Sequence, residues 1–118
     1  MSTRRTIEQW VELFNAGDAE GISALYADDA VNHQIALEPV VGRAAIEQFH
    51  RDTFAGGPLT CTPINLVVDG DWGALEWIDP DGFRGCGFFR VRDGKIAHQR
   101  GYWDSAQLKV VHPDVHDR

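Results

Sequence analysis

Between Thr60 and Asp104 the chain reads TCTPINLVVDGDWGALEWIDPDGFRGCGFFRVRDGKIAHQRGYWD, and this stretch constrains the fold more than any other. Runs rich in Val, Ile, Phe and Trp are separated by Asp69-Gly70, Asp81-Gly82 and Asp93-Gly94. Asp-Gly between apolar runs signals a hairpin, because tight turns place their central residues at positive φ, which Gly and Asp tolerate. The stretch therefore predicts a meander of three hairpins, a curved antiparallel sheet. Gly73, Gly85, Gly87 and Gly101 fall inside its strands, where glycine marks a bend or the close approach of another group. Gly85 and Gly87 share one face, so part of the inner wall is bare backbone, which favours a cavity over a packed core.

The preceding segment reads as helices. Ile7, Trp10, Val11 and Phe14 recur at i, i+3, i+4 and i+7, one apolar stripe of an amphipathic helix. Thr6 and Gln9 suit a capping box, with Ser2 or Thr3 as earlier starts. Gly17 ends that helix, and Asp18 caps a short second one whose inward residues are Ile22, Leu25 and Tyr26. Ala30 to Ile35 reads as a strand, and Leu37 to Val41 as a loop or lid. Gly42 opens a third helix with the stripe Ile46, Phe49, His50, Thr53 and Phe54, closed by Gly56-Gly57-Pro58. After Asp104 the pattern fades, with Leu108 to Val111 suited to an edge strand and the last residues to mobility. Three helices on a bent sheet make an α+β domain, here one domain over residues 1–118 with its core at about 5–105.

A net charge of −7 argues against nucleic acid as a partner, since its binders carry basic patches. No apolar run approaches the length of a membrane span, and the polar N-terminus MSTRRTIEQW does not read as a signal peptide. Cys61 and Cys86 alone do not make a disulfide framework, so a reducing cytoplasm is expected, with both thiols as small buried or half-buried residues. Neither cysteine has a Cys or His at metal-ligand spacing, and no metal or other cofactor is expected.

NAGDAEGISALYADDAVNHQ, GRAAIEQF and FFRVRDGKIAHQRGYWD resemble the nuclear transport factor 2-like superfamily, and within it the SnoaL-like group named for polyketide cyclases. The resemblance covers about residues 5 to 105. It implies a cone-shaped (cystatin-like) fold in which three N-terminal helices pack on a strongly curved antiparallel sheet. It does not fix a function, because the fold hosts isomerases, hydrolases, cyclases, dehydratases and binders. Where ketosteroid isomerases carry their tyrosine and two aspartates, the matching positions hold Trp10, Gln34 and Gly87, none able to shuttle a proton. For the limonene-epoxide hydrolase triad of two aspartates and an arginine, the matching positions hold Asp79, Trp77 and Gly101, with Asn32 and Gln34 for the water-holding pair. Neither of these two chemistries is expected. As a class, SnoaL-like cyclases lean on a histidine and an aspartate in the cone, which here draws on His33, His50, His98, Asp79 and Asp104.

The register implied by the resemblance turns Asn32, Gln34, Leu75, Trp77, Asp79, Phe83, Phe89, Gln99 and Trp103 inward. His50 is the first candidate for a titrating catalytic group, oriented by a hydrogen bond from Tyr26; a core histidine bonded to Tyr26 is the alternative. Asp79 reads either as an acid or base at the cavity rim or as a turn aspartate bonded to its own backbone. Trp10, Phe49, Trp77, Phe83 and Trp103 line the cone, and Asn32, Gln34 and Gln99 add neutral polar groups. That combination suits a small oxygenated hydrophobic molecule such as a polyketide, terpenoid or aromatic fragment. His33 and His98 read as outward-facing, Asp104 as a strand-end cap, and Asp28 and Asp29 as turn residues. His112 and His116 belong to the tail. Glu76, Arg84, Arg90, Arg92 and His98, with Ile78, Phe88 and Ile96, form the outer face, where a homodimer is expected. The expected activity is cofactor-independent isomerase, cyclase or hydrolase chemistry by His50, Asp79 and Tyr26; the alternative is a non-catalytic binding or dimerisation module.

Overall fold

The computed structural model describes residues 2–57 and 59–113. Helix α1 (Thr3–Asn15) starts at Ser2, whose hydroxyl accepts from the Arg5 N–H at 3.1 Å, so the earlier of the expected starts holds. Its buried residues Thr6, Ile7, Trp10 and Val11 follow the apolar stripe, and Gly17 ends the turn at φ 66°. Asp18 caps the single turn of α2 (Ala19–Ser23), accepting from the Gly21 N–H at 2.8 Å. The chain then enters β1 (Tyr26–Gln34) directly. Tyr26, expected on the second helix, is therefore the first strand residue, although it still points inward and is fully buried. The expected loop before Gly42 contains the two-residue strand β2 (Val40–Val41), paired antiparallel to β1. Helix α3 (Arg43–Phe54) buries Ile46 and His50, with Gly42 leading in at φ 91°. Pro58, expected to close this helix, lies outside the described residues.

The meander consists of β3 (Thr62–Asp69), β4 (Trp72–Ile78), β5 (Arg84–Arg92) and β6 (Lys95–Trp103). Asp93 and Gly94 form a two-residue connection with φ 54° and 75°, the pair of positive angles that a type I′ hairpin requires. All six strands form one sheet in the order β2-β1-β6-β5-β4-β3. One pairing departs from an all-antiparallel expectation: β1 runs parallel to β6, with Asn32 opposite Gln99 and Gln34 opposite Gly101. Helix α1 lies against β3, β4 and β5, and α3 against β1. The core between helices and sheet includes Ile7, Ile22, Tyr26, Ala30, Ile46, Leu75, Phe89 and Ile96, each no more than 1% exposed. Asn15 ties the end of α1 to the start of β3: its side chain donates to the Cys61 carbonyl at 3.0 Å and accepts from the Cys61 N–H at 2.7 Å. Burial pushes the Cys61 thiol up to about 12, and Cys86 is half-buried; neither is in a disulfide.

Three further expectations are corrected. Ile96 is fully buried, not on the outer face, because the β5–β6 register shifts between Arg90 and Val91 and the extra residue in β6 reverses the alternation before Ala97. The tail forms a helix, α4 (Ser105–Val111), not an edge strand; Asp104 caps it by accepting from the Ala106 N–H at 2.8 Å. The strand glycines do not leave open space. A methyl group on Gly85 would overlap the indole of Trp77, its cross-strand neighbour, and one on Gly101 would overlap the Gln34 amide, its partner in the parallel pair. Each glycine seats a larger side chain flat on the sheet. The bare wall is occupied by the cone's own residues.

Candidate functional site: the interior of the cone

Two hydrogen-bond chains cross the inner face, and each begins at an indole. At the floor, Trp10 Nε1 donates to the Tyr26 oxygen at 3.0 Å, and the Tyr26 hydroxyl donates to Gln99 Oε1. Nearer the rim, Trp103 Nε1 donates to Gln34 Oε1 at 3.0 Å, and Gln34 Nε2 donates to Asn32 Oδ1 at 2.8 Å. An indole nitrogen can only donate, so in the rim chain Gln34 turns its oxygen to Trp103 and its N–H₂ to Asn32. At the floor the Tyr26 hydroxyl accepts from Trp10 and gives its proton to Gln99. Burial raises the Tyr26 pKa far above its ordinary value, against the lowering effect of the Trp10 bond, so the phenol remains a neutral donor.

His50 sits beside the floor chain. Its ring centroid is 5.8 Å from each of Tyr26, Phe49 and Phe54, and the residue is 2% exposed. The expected Tyr26–His50 hydrogen bond is absent, because the phenol proton goes to Gln99. The imidazole Nδ1 is buried without a hydrogen-bond partner of good geometry. Desolvation lowers the His50 pKa to about 4, with the Ile46 carbonyl one turn back opposing it, so the ring is neutral at ordinary pH.

Asp79 lies apart from His50, in the turn between β4 and β5. Its Oδ1 accepts from the N–H groups of Asp81 and Phe83, both at 2.9 Å, which is the turn role anticipated for it. Its Oδ2 meets His112 Nε2 at 2.6 Å, a contact the sequence reading missed by leaving His112 in the tail. Helix α4 delivers His112 by turning back toward this loop, where Gln107 Oε1 accepts from the Arg84 N–H at 3.4 Å. The His112 ring stands edge-on to Phe83 at 6.0 Å, and Phe83 in turn packs edge-on against Trp77 at 5.4 Å and Trp103 at 6.2 Å. These aromatics close the cone's mouth.

Donor atoms of Asp79, Asp81 and His112 lie within 4.8 Å of one another, the one such group among the described residues. Asp79 Oδ1 is already committed to two backbone N–H groups, and Oδ2 to the hydrogen bond with His112 Nε2. His112 and His116 are four residues apart, but α4 ends at Val111 and His116 lies outside the described residues. Among the remaining candidates, Asp104 caps α4 and Asp28 pairs with Arg43. His33 and His98 share the outer face with Arg90 and Arg100, and His98 is held below its ordinary pKa by desolvation first and then by those neighbouring positive charges.

Two depressions open at the surface, one of about 390 Å³ between α1 and strands β3 and β4, reaching Leu75, and one of about 450 Å³ along α2 and α3. Inside, Trp10, Asn32, Leu75, Phe83, Phe89 and Gln99 are all buried, while Gln34, Phe49, Trp77 and Trp103 are half-buried.

These features define a cone-shaped α+β protein with an aromatic interior and a neutral, amide-rich inner wall. The SnoaL-like domain family matches residues 7–99, and the chain belongs to that family. Two solved structures share the fold, each described as a putative polyketide cyclase. The one from Xanthomonas campestris pv. campestris is 21% identical over 90% of this chain and 93% of its own, with a TM-score of 0.80. The one from Sinorhizobium meliloti is 18% identical over 83% of this chain and 94% of its own, with a TM-score of 0.75. No helix among the described residues is long and apolar enough to cross a membrane.

Proposed function

We propose that this chain takes up a small, oxygenated hydrophobic molecule in the cone and acts on it by acid–base chemistry of the isomerase, cyclase or hydrolase type, with His50 as the base. The observation that carries this reading is His50 itself. It is a neutral imidazole, 2% exposed, caged by Phe49, Phe54 and Tyr26, with Nδ1 unpartnered. A neutral imidazole has a lone pair free for a proton. With a pKa of about 4, the transfer needs the negative charge that develops on the ligand beside it to raise its basicity. The names of the two structural neighbours agree with a polyketide-like substrate. The aromatic mouth of Trp77, Phe83 and Trp103 admits the ligand by side-chain movement.

A second reading, a binding module without turnover, is favoured by one observation: among the described residues no carboxylate bonds His50, and both oxygens of Asp79 are engaged at the rim. Benzoylacetone in D₂O separates the two. Enzymatic chemistry gives deuterium exchange at the carbon between the carbonyls faster than in buffer alone, an acceleration that disappears in His50→Phe. Binding without acceleration leaves the module reading, and acceleration that survives His50→Phe refutes His50 as the base.

We further propose that two copies associate through the outer sheet face. Val67, Phe88 and Tyr102 are 65%, 36% and 41% exposed there, and the Arg100 guanidinium stacks 5.0 Å from Trp72 and 5.7 Å from Phe88.

A further inference from the structure

We infer that Asn32 and Gln99 form a paired-amide donor site for a carbonyl oxygen, so that the ligand is an uncharged ketone, ester or quinone. This inference rests on the cone being the ligand site. The direction of the two hydrogen-bond chains leads to it. Trp103 must donate, so Gln34 presents its oxygen to the indole and its N–H₂ to Asn32 Oδ1, and Asn32 Nδ2 is left over. Tyr26 accepts from Trp10 with one lone pair and gives its own proton to Gln99 Oε1, and Gln99 Nε2 is left over. Neither leftover N–H₂ donates a hydrogen bond among the described residues. Both chains therefore end on an amide donor.

The two ends meet. Asn32 and Gln99 are register partners in the parallel β1–β6 pair, both on the inner face, 1% and 4% exposed. Side chains opposed in this way on neighbouring strands have Cβ atoms about 5 Å apart, close enough for two amides to reach one oxygen or two adjacent ones. His50 Nδ1 is the third unused polar atom nearby, its ring beside Tyr26, which bonds Gln99.

Charge decides the ligand class. The inner-wall side chains at this level are Asn32, Gln34, Gln99, Tyr26, Trp10 and Trp103, and none carries a charge. A carboxylate or phosphate would enter a largely buried wall with no counter-charge, at a cost the amides do not offset. A carbonyl oxygen brings acceptor lone pairs and no charge, and it matches two donors from which no protein group accepts among the described residues. Each donor stands at the end of a polarised chain, which strengthens the bond it gives.

The test compares acetophenone with α-methylstyrene, the same shape with C=CH₂ in place of C=O, and with benzoate. Binding is read from the side-chain N–H₂ signals of Asn32 and Gln99 in ¹⁵N-labelled protein. Acetophenone is expected to move both signals and to bind about tenfold more tightly than the alkene, the worth of two neutral hydrogen bonds. Benzoate is expected not to bind. In Asn32→Ala and Gln99→Met the preference for ketone over alkene should shrink; if either variant fails to fold, the ketone–alkene comparison in the unmodified protein decides alone. Equal binding of ketone and alkene, or a ketone that leaves both N–H₂ signals unmoved, overturns the paired-amide site while leaving the cone as a ligand site. Binding of neither removes the cone reading, and this inference with it.

Discussion

Acidification sets His50 against its surroundings. In the folded chain its pKa is lowered from 6.5 to about 4, so the unfolded chain binds a proton between those values that the folded chain refuses. Stability falls wherever the unfolded state binds more protons. His50 therefore costs nothing well above pH 6.5, and its penalty grows as the pH drops toward 4. Between pH of about 7.5 and about 4.5 the loss from this one residue comes to about 2–3 kcal/mol, a sizeable part of the stability of a chain this small. Carboxylates titrate over the same range, so the absolute pH dependence does not isolate His50. Replacing it with Phe does, because the ring among Phe49, Phe54 and Tyr26 is kept and the proton site is removed. Urea unfolding of both proteins at the two pH values gives the difference directly. Wild type is expected to lose about 2–3 kcal/mol more than His50→Phe on acidification. Equal losses would refute the reasoning, as would an NMR titration placing the His50 midpoint near 6.5.

Two other outcomes follow from contacts at the rim and on the outer face. His112→Ala removes the contact to Asp79, so amide exchange across residues 105–112 should quicken by about tenfold, as for a hydrogen bond to a charged group; unchanged exchange would mean α4 is held by something else. Arg100→Glu places a carboxylate between Trp72 and Phe88, and sedimentation should then show a monomer where the unmodified chain forms a dimer. A monomer in both would remove the outer-face proposal.

The inner wall was legible in the sequence wherever strand alternation ran undisturbed. Asn32, Leu75, Phe83, Phe89 and Gln99 were placed inward by the register that the family resemblance implies, and they are buried. Alternation failed at Ile96, because one extra residue in β6 shifts the pairing and nothing in the local sequence announces it. The glycines were read correctly as close-approach positions but wrongly as empty ones. Only the three-dimensional pairing of Trp77 with Gly85, and of Gln34 with Gly101, shows what approaches. Tyr26 was assigned to the wrong element yet the right place, because a single helical turn at α2 and a strand start both turn it inward. His112 was invisible in principle: its partner Asp79 lies 33 residues earlier, and no periodicity links a helix end to a distant turn. The loss of apolar pattern after Asp104 was read as the sign of a tail, and the helix that leads to His112 buries none of its residues.

The parallel pairing of β1 with β6 has a consequence for how the chain acquires its structure. The last strand to be made is an interior strand, between β1 and β5. Until it arrives, β1 has only the two residues of β2 to pair with, and the Tyr26 hydroxyl waits for an acceptor 73 residues further on. The helices and the β3–β5 meander can form from local contacts during synthesis, but joining them requires closing a loop that spans most of the chain. Completion of the cone is therefore a late event. A chain that stops short of Trp103 lacks the middle of its sheet, not its border.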